Sequence, residues 1–340
     1  MDRPNFTPNM AFFSGKSVLV TGGTGSFGRR FVERLLASGA PRRVIVFSRD
    51  EVKQQEMRES MPGGTSEPMR YFIGDIRDRD RLQRAFHRVD VVIHAAALKQ
   101  VPACEYNPIE AVLTNVMGAR NVIDAAIDQG VERVIALSTD KAVNPINIYG
   151  ATKLCMEKLL IQANVYSGPM NRPFLACSRY GNVIGSRGSV VPLFAAQRRS
   201  GRITVTDSRM TRFWLTLDEG VDFVFRCIER MQGGEVFVPK IPSMRITDLA
   251  AAVAPECEID VVGVRPGEKL HEALLSEDEA RHSRDVGDMY VIMPEGEMQI
   301  PEDRLPGKPI PEGFRYSSET NDSWFNAQDL ARILELATKS

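Results

Sequence analysis

The segment SVLVTGGTGSFGRRFVERLL (residues 17–36) decides the fold of this chain. An apolar run of strand length leads into a glycine-rich turn, and an amphipathic helix begins directly after it. Glycines suit this position because the turn is tight and the backbone must come close to a pyrophosphate at the helix N-terminus. An ordinary glycine-rich turn would show the same glycines, but the strand before and the helix after them favour a dinucleotide site.

Strand-like runs at 17–22, 43–48, 89–97, 133–139 and 174–183 alternate with amphipathic stretches of helical length. Strands that are apolar on both faces and separated by helices predict an α/β protein. We expect a Rossmann-like doubly wound parallel sheet over residues 1–184, to which a late strand near 234–240 returns. Residues 185–340 are expected to form mainly a smaller C-terminal substrate-binding lobe, ending in a helix from Ala327 on.

Composition excludes several classes. Of the 340 residues 43% are apolar, and 43 Lys and Arg nearly balance 44 Asp and Glu, so no strong global field attracts nucleic acid or an anionic membrane. Local basic clusters still allow an anionic small substrate. The five cysteines are scattered without CxxC spacing, which is typical of reduced cytosolic thiols and not of a zinc site or a disulfide framework. We expect no metal. The polar N-terminus is unlike a signal peptide, and no apolar stretch reaches membrane-spanning length, so a soluble, cytoplasmic protein is expected.

The second strand is followed by SRDEVK (48–53). A carboxylate here usually holds the adenosine ribose of NAD, and Asp50 could do so. Arg49 and Lys53 flank it, however, and a guanidinium suits a 2′-phosphate, so NADP is favoured over NAD. A solvated loop is the alternative, credible for Lys53.

A tyrosine and a lysine stand four residues apart in ALSTDKAVNPINIYGATK (136–153). At a helix start this spacing places Tyr149 and Lys153 on one face. A nearby ammonium lowers the pKa of a phenol, which makes Tyr149 a candidate base for a substrate hydroxyl. The pair follows Ser138 and Thr139 at the carboxyl end of a strand, where open α/β folds bind ligands.

These residues resemble those of extended short-chain dehydrogenases/reductases, and more narrowly those of the inverting UDP-N-acetylglucosamine 4,6-dehydratases of pseudaminic acid biosynthesis. The passages that carry the resemblance are TGGTGSFG, AALKQVPACEYNP, STDKAVNPINIYGATK, RYGNVIGSRGSVVPLF, DSRMTRFWLTLDEG, PKIPSM and RPGEKLHE. The resemblance implies a two-lobed fold, tightly held NADP, a UDP-N-acetylglucosamine substrate and a homo-oligomer. The product would serve glycosylation of flagellin, capsule or lipopolysaccharide, and the sequence does not decide among the three.

The cofactor contacts expected from the turn and from this resemblance are Gly22, Thr24, Gly25, Ser26, Phe27, Gly28, Ser48, Arg49, Lys53, Asp75, Ile76, Ala95, Ala96, Ala97, Lys99, Tyr149 and Lys153. Asp75 resembles the acidic residue that contacts adenine. The three alanines would let a strand end pass close to the cofactor.

The pair Asp140–Lys141 is the most telling feature of the resemblance. Dehydratases of nucleotide-activated glucose usually carry Asp-Glu here, whereas the pseudaminic branch carries lysine second. The resemblance implies Tyr149 as the base for the 4-hydroxyl, Lys141 as the base at carbon 5 and Asp140 as the acid for the 6-hydroxyl, with Thr139 beside them. A lysine next to an aspartate should hold its proton more firmly, which opposes a role as base. The alternative is an exposed turn ion pair.

Membrane-anchored, retaining relatives commonly have methionine where this chain has Tyr149, so the resemblance favours the inverting type. The expected substrate contacts are Lys99, Thr139, Asn182, Val190, Arg212, Arg265 and Glu268. Arg265 would neutralise the diphosphate, with Glu268 beside it as a sugar-hydroxyl contact or a structural partner, and Asn182 would contact a phosphate. Arg212 and Arg209 are weaker candidates, one of which could pair only with Asp218. We interpret His94 as a core residue, His271 as no metal ligand and Trp214 as packing.

Two other functions stay open. A UDP-sugar 4-epimerase needs the same Tyr149, Lys153 and cofactor, but not an acid and base at Asp140 and Lys141. A non-catalytic NADP-sensing protein predicts loss of the tyrosine–lysine pair, and both residues are present.

Overall fold

A computed structural model describes residues 8–65, 67–166, 172–184, 190–296, 305–326 and 329–330. The strands in these ranges are β1 (Ser17–Thr21), β2 (Arg43–Ser48), β3 (Met69–Ile73), β4 (Val91–His94), β5 (Arg133–Leu137), β6 (Phe174–Ser178), β7 (Asn182–Val183), β8 (Arg202–Val205), β9 (Thr211–Leu215), β10 (Val236–Pro239), β11 (Ser243–Arg245), β12 (Glu258–Val261), β13 (Ala273–Leu275), β14 (Ser283–Asp285), β15 (Met289–Ile292), β16 (Lys308–Pro309) and β17 (Tyr316–Ser317).

The α-helices in the same ranges are α1 (Ser26–Ala37), α2 (Glu51–Ser60), α3 (Arg79–Ala85), α4 (Val101–Tyr106), α5 (Pro108–Ala111), α6 (Gly118–Asp128), α7 (Ile148–Gln162), α8 (Val190–Gln197), α9 (Leu217–Arg230), α10 (Ile246–Val253) and α11 (Glu277–Ala280). A π-helical segment, Val112–Met117, joins α5 to α6.

The main sheet has the strand order β16-β14-β15-β10-β6-β5-β4-β1-β2-β3. The strands from β3 to β10 in this order are all parallel, and β15, β14 and β16 add an antiparallel edge. The order 3-2-1-4-5-6 is that of the doubly wound dinucleotide fold, with its crevice where the order reverses between β1 and β4. The predicted fold class is confirmed.

Two predicted strands differ in extent. The run at 89–97 forms β4 only as far as His94, and the chain then crosses the end of the sheet. The run at 174–183 divides, because β6 stays in the main sheet whereas β7 pairs with β9. The late strand lies at Val236–Pro239 beside β6. The edge strands β14–β16 were not predicted, since they are two to four residues long and show no periodicity.

The helices cover both faces of the main sheet. One apolar cluster contains Leu19, Ile45 and Val92 from alternate strand positions, and a second contains Val18, Val44 and Val91. Such alternation buries both faces of each strand, which explains the continuous apolar runs in the sequence.

Smaller sheets form the second lobe, namely β11-β9-β7, β12-β8 and β13-β17. Its apolar cluster includes the fully buried Trp214 together with Phe194 and Leu249. The helix predicted from Ala327 on falls almost wholly outside the described residues. Within the described ranges, no helix is long and apolar enough to cross a membrane.

Candidate active site

A cleft of about 980 Å³ opens at the carboxyl ends of β1, β2, β4 and β5 and extends to the second lobe. The residues lining it include all seventeen expected cofactor contacts. They also include Thr139, Lys141, Asn182, Val190 and Arg265. The fold therefore brings together, from widely separated parts of the chain, most of the residues singled out in the sequence.

The glycine-rich turn fits a dinucleotide. Gly22 has φ +65°, and a Cβ on it would lie 2.8 Å from the backbone nitrogen of Ala96, so only glycine lets β1 and the end of β4 approach this closely. Helix α1 begins after Gly25, which has no side chain to occupy the helix N-terminus. The exposed amide dipoles there suit an anionic pyrophosphate.

The end of β2 presents a cation to the cleft. Arg49 is 60% exposed, and its Nη1 lies 3.6 Å from Oδ2 of Asp75. Asp50 also lines the cleft, but its carboxylate accepts a hydrogen bond from the Lys53 amide at 3.0 Å and caps α2. The end of β2 therefore offers an exposed guanidinium beside the ribose position, whereas the Asp50 carboxylate is engaged by the α2 backbone and by Lys53.

The loop after β4 is fixed by a residue that the sequence analysis missed. Asn115, in the π-helical segment, is buried, accepts a hydrogen bond from the Leu98 amide and donates to the Leu98 carbonyl. It also donates to Thr152 of α7. Lys99 follows this anchored residue and lines the cleft. The signal in the sequence was an asparagine within the largely apolar segment VLTNVM.

The turn after β5 holds the acid–base pair. Asp140 is fully buried, and Lys141 Nζ donates to its Oδ1 at 3.0 Å. The Thr139 hydroxyl donates to the same carboxylate oxygen at 2.9 Å. The alternative of an exposed turn ion pair is therefore wrong, because Asp140 has no exposed surface.

Lys141 faces a second carboxylate. Its Nζ lies 3.5 Å from Oε1 of Glu272, which is 2% exposed and whose other oxygen lies 3.4 Å from Lys269 Nζ. Burial lowers the pKa of Lys141, but the charges of Asp140 and Glu272 outweigh it and raise the pKa above its ordinary value. The raised pKa agrees with the expectation that a lysine beside an aspartate holds its proton more firmly, which opposes a role as base. Glu272 is the last residue of RPGEKLHE, yet nothing in the sequence placed it near Lys141.

Tyr149 and Lys153 lie one turn apart on α7, both buried and both lining the cleft. Burial raises the pKa of Tyr149 to about 12, against the lowering effects of the Lys141 charge and a Thr139 hydrogen bond. Burial lowers the pKa of Lys153 to about 8, and its ammonium donates to the Met156 sulfur at 3.0 Å. The expectation that Lys153 lowers the tyrosine pKa is not met, because Lys141 is the cation that acts on it.

The N-terminus of α7 is packed directly on the catalytic turn. A Cβ on Gly150 would lie 2.1 Å from the Lys141 carbonyl oxygen, so a larger residue would displace one of the two elements. Asn147 caps the helix through a 2.7 Å bond from the Gly150 amide, and its amide group donates to the Gly267 carbonyl. Asn147 thereby connects the catalytic helix to the loop that carries Arg265.

Two predicted substrate contacts lie outside the cleft lining. Arg212 is 6% exposed, and its guanidinium donates to the carbonyls of Lys269 and Leu270. Its Nη2 also lies 3.7 Å from Glu268. Both side chains take part in contacts that hold the loop 265–272, and their contact with substrate stays a prediction.

The remaining side chains singled out in the sequence have local partners. Arg209 pairs with Asp207, whereas Asp218 pairs with Arg30 of α1, so neither Arg209 nor Arg212 binds Asp218. His94 is buried against Thr21, and burial lowers its pKa to about 3. His271 contacts Thr211 and Glu319. Among the described residues no group of His, Cys, Asp or Glu could hold a metal ion.

A profile of one protein family matches residues 18–294, from β1 to just past β15. Its description is polysaccharide biosynthesis protein. The chain belongs to this family. Members of the polysaccharide biosynthesis protein family are extended short-chain dehydrogenases/reductases, so the predicted resemblance is confirmed.

Relatives within this family match over nearly the whole chain. A protein of Campylobacter jejuni subsp. jejuni serotype O:23/36 (strain 81-176), named UDP-N-acetylglucosamine 4,6-dehydratase (inverting), is 48% identical over 95% of this chain and 98% of its own. A protein of Rickettsia canadensis (strain McKiel), named UDP-glucose 4-epimerase, is 43% identical over 84% of each chain.

A solved structure shows the same architecture. The X-ray structure of Pen from Bacillus thuringiensis superposes with a TM-score of 0.86 at 37% identity, covering 96% of this chain and 99% of that one. The structural similarity to this protein therefore extends over both lobes of the chain.

Proposed function

We propose that this chain is a 5-inverting UDP-N-acetylglucosamine 4,6-dehydratase that uses NADP. The observation that carries the proposal is the buried Asp140–Lys141 pair, joined at 3.0 Å, with Lys141 lining the same cleft as Tyr149 and Lys153. An oxidation at carbon 4 needs only the tyrosine and lysine. A second acid–base pair beside them suits an elimination.

A bound nicotinamide cofactor would supply the hydride acceptor for carbon 4 and the hydride donor for carbon 6. Tyr149 would remove the proton of the 4-hydroxyl. Its pKa of about 12 in the free protein has to fall for this step, and Thr139 and the Lys141 charge act in that direction. Lys153, with a pKa of about 8, is placed on the same helix face to bind the nicotinamide ribose.

The 4-keto group makes the hydrogen on carbon 5 acidic, and the acid–base pair then completes the elimination. Transfer of one proton from Lys141 to Asp140 along their hydrogen bond converts both groups at once, giving a neutral amine and a neutral carboxylic acid. The amine can take the carbon 5 proton, and the acid can protonate the 6-hydroxyl as water leaves. The proton that Lys141 takes and the one that Asp140 gives restore the starting ammonium–carboxylate pair. Carbon 5 then receives a solvent proton from the opposite face while Tyr149 releases its proton to solvent, which balances the reaction and inverts that centre.

The preference for NADP rests on the charge at the end of β2. Arg49 is exposed toward the cleft, whereas the Asp50 carboxylate is engaged by the α2 backbone and by Lys53. A 2′-phosphate would find a cation there, and the 2′-hydroxyl of NAD would find no free carboxylate at that position.

The nucleotide-sugar would occupy the part of the cleft between the lobes. Arg265 is exposed and carries the charge that a diphosphate requires. Asn182 and Val190 line the same region, with Lys99 nearer the cofactor end. Two observations support a 5-inverting product. The relative from Campylobacter is named an inverting enzyme, and this chain has Tyr149 where membrane-anchored, retaining relatives commonly have methionine. The product would feed pseudaminic acid biosynthesis and flagellin glycosylation.

We further propose a cytoplasmic homo-oligomer. Five free cysteines suit a reducing compartment. Tyr106, Ile109, Leu113 and Met117 leave an exposed apolar surface over α4, α5 and the π-helical segment, with Tyr106 87% exposed. Surfaces of this kind usually mark a protein contact, and the occupant proposed here is a second copy of the chain.

A UDP-sugar 4-epimerase is the second candidate, favoured by the Rickettsia relative. Incubation with UDP-N-acetylglucosamine and NADP, followed by mass spectrometry, separates the two. The dehydratase produces a nucleotide-sugar lighter by one water with no net cofactor reduction. An unchanged mass with a changed sugar configuration would establish the epimerase instead, and stoichiometric reduced cofactor would indicate a simple dehydrogenase.

A further inference from the structure

A buried cluster of charged side chains lies behind the cleft, where the second lobe meets the catalytic turn. Its carboxylates are Asp140, Glu268 and Glu272, and its cations are Lys141, Lys269 and Arg212. Lys141 lines the cleft, and Asp140 lies directly behind it, with its Oδ1 3.0 Å from the Lys141 ammonium.

Among the members that the proposed reaction does not use, Glu272 is the one that pairs with Lys141. Its side chain is 3% exposed, and it stands between two ammonium groups, with Oε1 3.5 Å from Lys141 and Oε2 3.4 Å from Lys269. Oε2 has no hydrogen-bond partner among the described residues. A buried carboxylate with so few hydrogen bonds acts on its neighbours mainly through its charge.

The backbone fixes this carboxylate in place. The Glu272 amide donates to the Ser318 hydroxyl at 3.0 Å, and its carbonyl accepts from the Ser318 amide at 2.8 Å. Lys269 donates to the Val143 carbonyl at 2.7 Å, which ties the same loop to the catalytic turn. The distance between Glu272 and Lys141 is therefore set by two anchored elements.

We propose that Glu272 is a positioning residue that sets the charge on Lys141 and thereby the pH range in which the carbon 5 proton is removed. The proposal rests on the dehydratase function proposed above. It assigns Glu272 no contact with substrate or cofactor.

The groups that face Lys141 define the sign of the effect. Asp140 and Glu272 favour its ammonium form, whereas burial and the Arg212 charge disfavour it. Tyr149 faces it from α7 and is neutral until deprotonated. Lys269 partly neutralises Glu272 from the far side. An opposite charge within about 4–6 Å shifts a pKa by roughly 1–3 units, so loss of the Glu272 charge should lower the pKa of Lys141 by about that amount.

The test is the pH dependence of solvent-deuterium incorporation at carbon 5. Glu272→Gln should move the rising limb of the profile to lower pH by about 1–3 units, because neutral Lys141 becomes available earlier. Lys269→Met should move the same limb to higher pH, because Glu272 then acts on Lys141 alone. A Glu319→Gln control, which removes a surface carboxylate paired with His271, should leave the limb in place.

Opposite shifts from two neighbouring substitutions are a result that a merely structural role would not give. A uniform fall in rate at every pH, with the limb unmoved in both variants, would overturn the proposal. Glu272→Asp, which keeps the charge, should restore most of the wild-type profile. If Glu272→Gln does not fold, Lys269→Met still tests the direction in which the rising limb of the pH profile moves.

A second readout needs no turnover. The side-chain carbon-13 signal of Lys141, assigned by its absence in Lys141→Met, should titrate at lower pH in Glu272→Gln than in the wild type. Identical titrations would overturn the Glu272 assignment. Failure of the wild type to dehydrate UDP-N-acetylglucosamine would instead overturn the proposed function, and the two failures are thus distinguished.

Discussion

Replacing Lys141 by methionine should abolish removal of the carbon 5 proton while leaving oxidation at carbon 4 possible. The ammonium lies 3.0 Å from Asp140 and 3.5 Å from Glu272, and it is the proposed base. Loss of a general base typically costs about 10²–10⁴-fold in rate. Tyr149, Lys153 and the cofactor cradle stay in place, so a single turnover should still reduce the cofactor, but more slowly, because the Lys141 charge that lowers the pKa of Tyr149 is lost.

The same substitution has a second cost. It leaves two buried carboxylates without the cation between them, and breaking a buried ion pair destabilises a protein by about 3–5 kcal/mol. Lys141→Met should therefore also unfold at lower denaturant concentration. Activity alone would not separate this loss of stability from loss of the base.

Lys141→Arg provides the matched control. A guanidinium preserves the charge between Asp140 and Glu272 but is not deprotonated in proteins. We expect near-normal stability together with the same loss of carbon 5 exchange, measured as deuterium incorporation from heavy water. If Lys141→Arg or a folded Lys141→Met exchanges carbon 5 at close to the wild-type rate, Lys141 is structural and Tyr149 becomes the first alternative base. Asp140→Asn should differ, with exchange retained and water loss slowed.

Arg49→Ala should weaken NADP binding roughly five- to tenfold and NAD binding little, since one exposed charge-assisted contact is worth about 1 kcal/mol; equal losses in a titration would refute the NADP assignment. Arg179→Met should lower the free energy of unfolding by about 3–5 kcal/mol, because it leaves Glu157 buried without the partner now 2.7 Å away. The double variant Arg179→Met/Glu157→Leu should recover part of that loss, and an unchanged denaturation midpoint for Arg179→Met would contradict the buried-pair argument. Leu113→Asp should shift the protein to a smaller species in analytical ultracentrifugation, and an unshifted oligomer would exclude this surface as the interface.

The cofactor half of the molecule could be predicted from the sequence because its signals are local. The turn at 22–28 and the Tyr149–Lys153 pair each lie within one short segment, so spacing alone places their side chains together. The resemblance to known dehydratases added the role of Asp140 and Lys141, which composition and periodicity could not have shown.

Long-range contacts could not be predicted in this way. Glu272 and Lys141 are far apart in the chain, and their approach depends on how the second lobe packs on the catalytic turn. Arg212 is a weaker candidate for a substrate contact in the sequence, and the structure shows its guanidinium donating to backbone carbonyls. The raised pKa of Tyr149 could not be predicted from the sequence either, because the raising effect of burial outweighs the lowering effect of the Lys141 charge.

The most direct test of the account uses UDP-N-acetylglucosamine that carries deuterium at carbon 4. If the chain oxidises carbon 4, eliminates water and returns the same hydride, the product retains the deuterium at carbon 6, detectable by NMR, and no reduced cofactor accumulates. Deuterium found again at carbon 4 of an intact hexose, or left on the cofactor, would contradict the dehydratase and would indicate an epimerase or a simple dehydrogenase respectively.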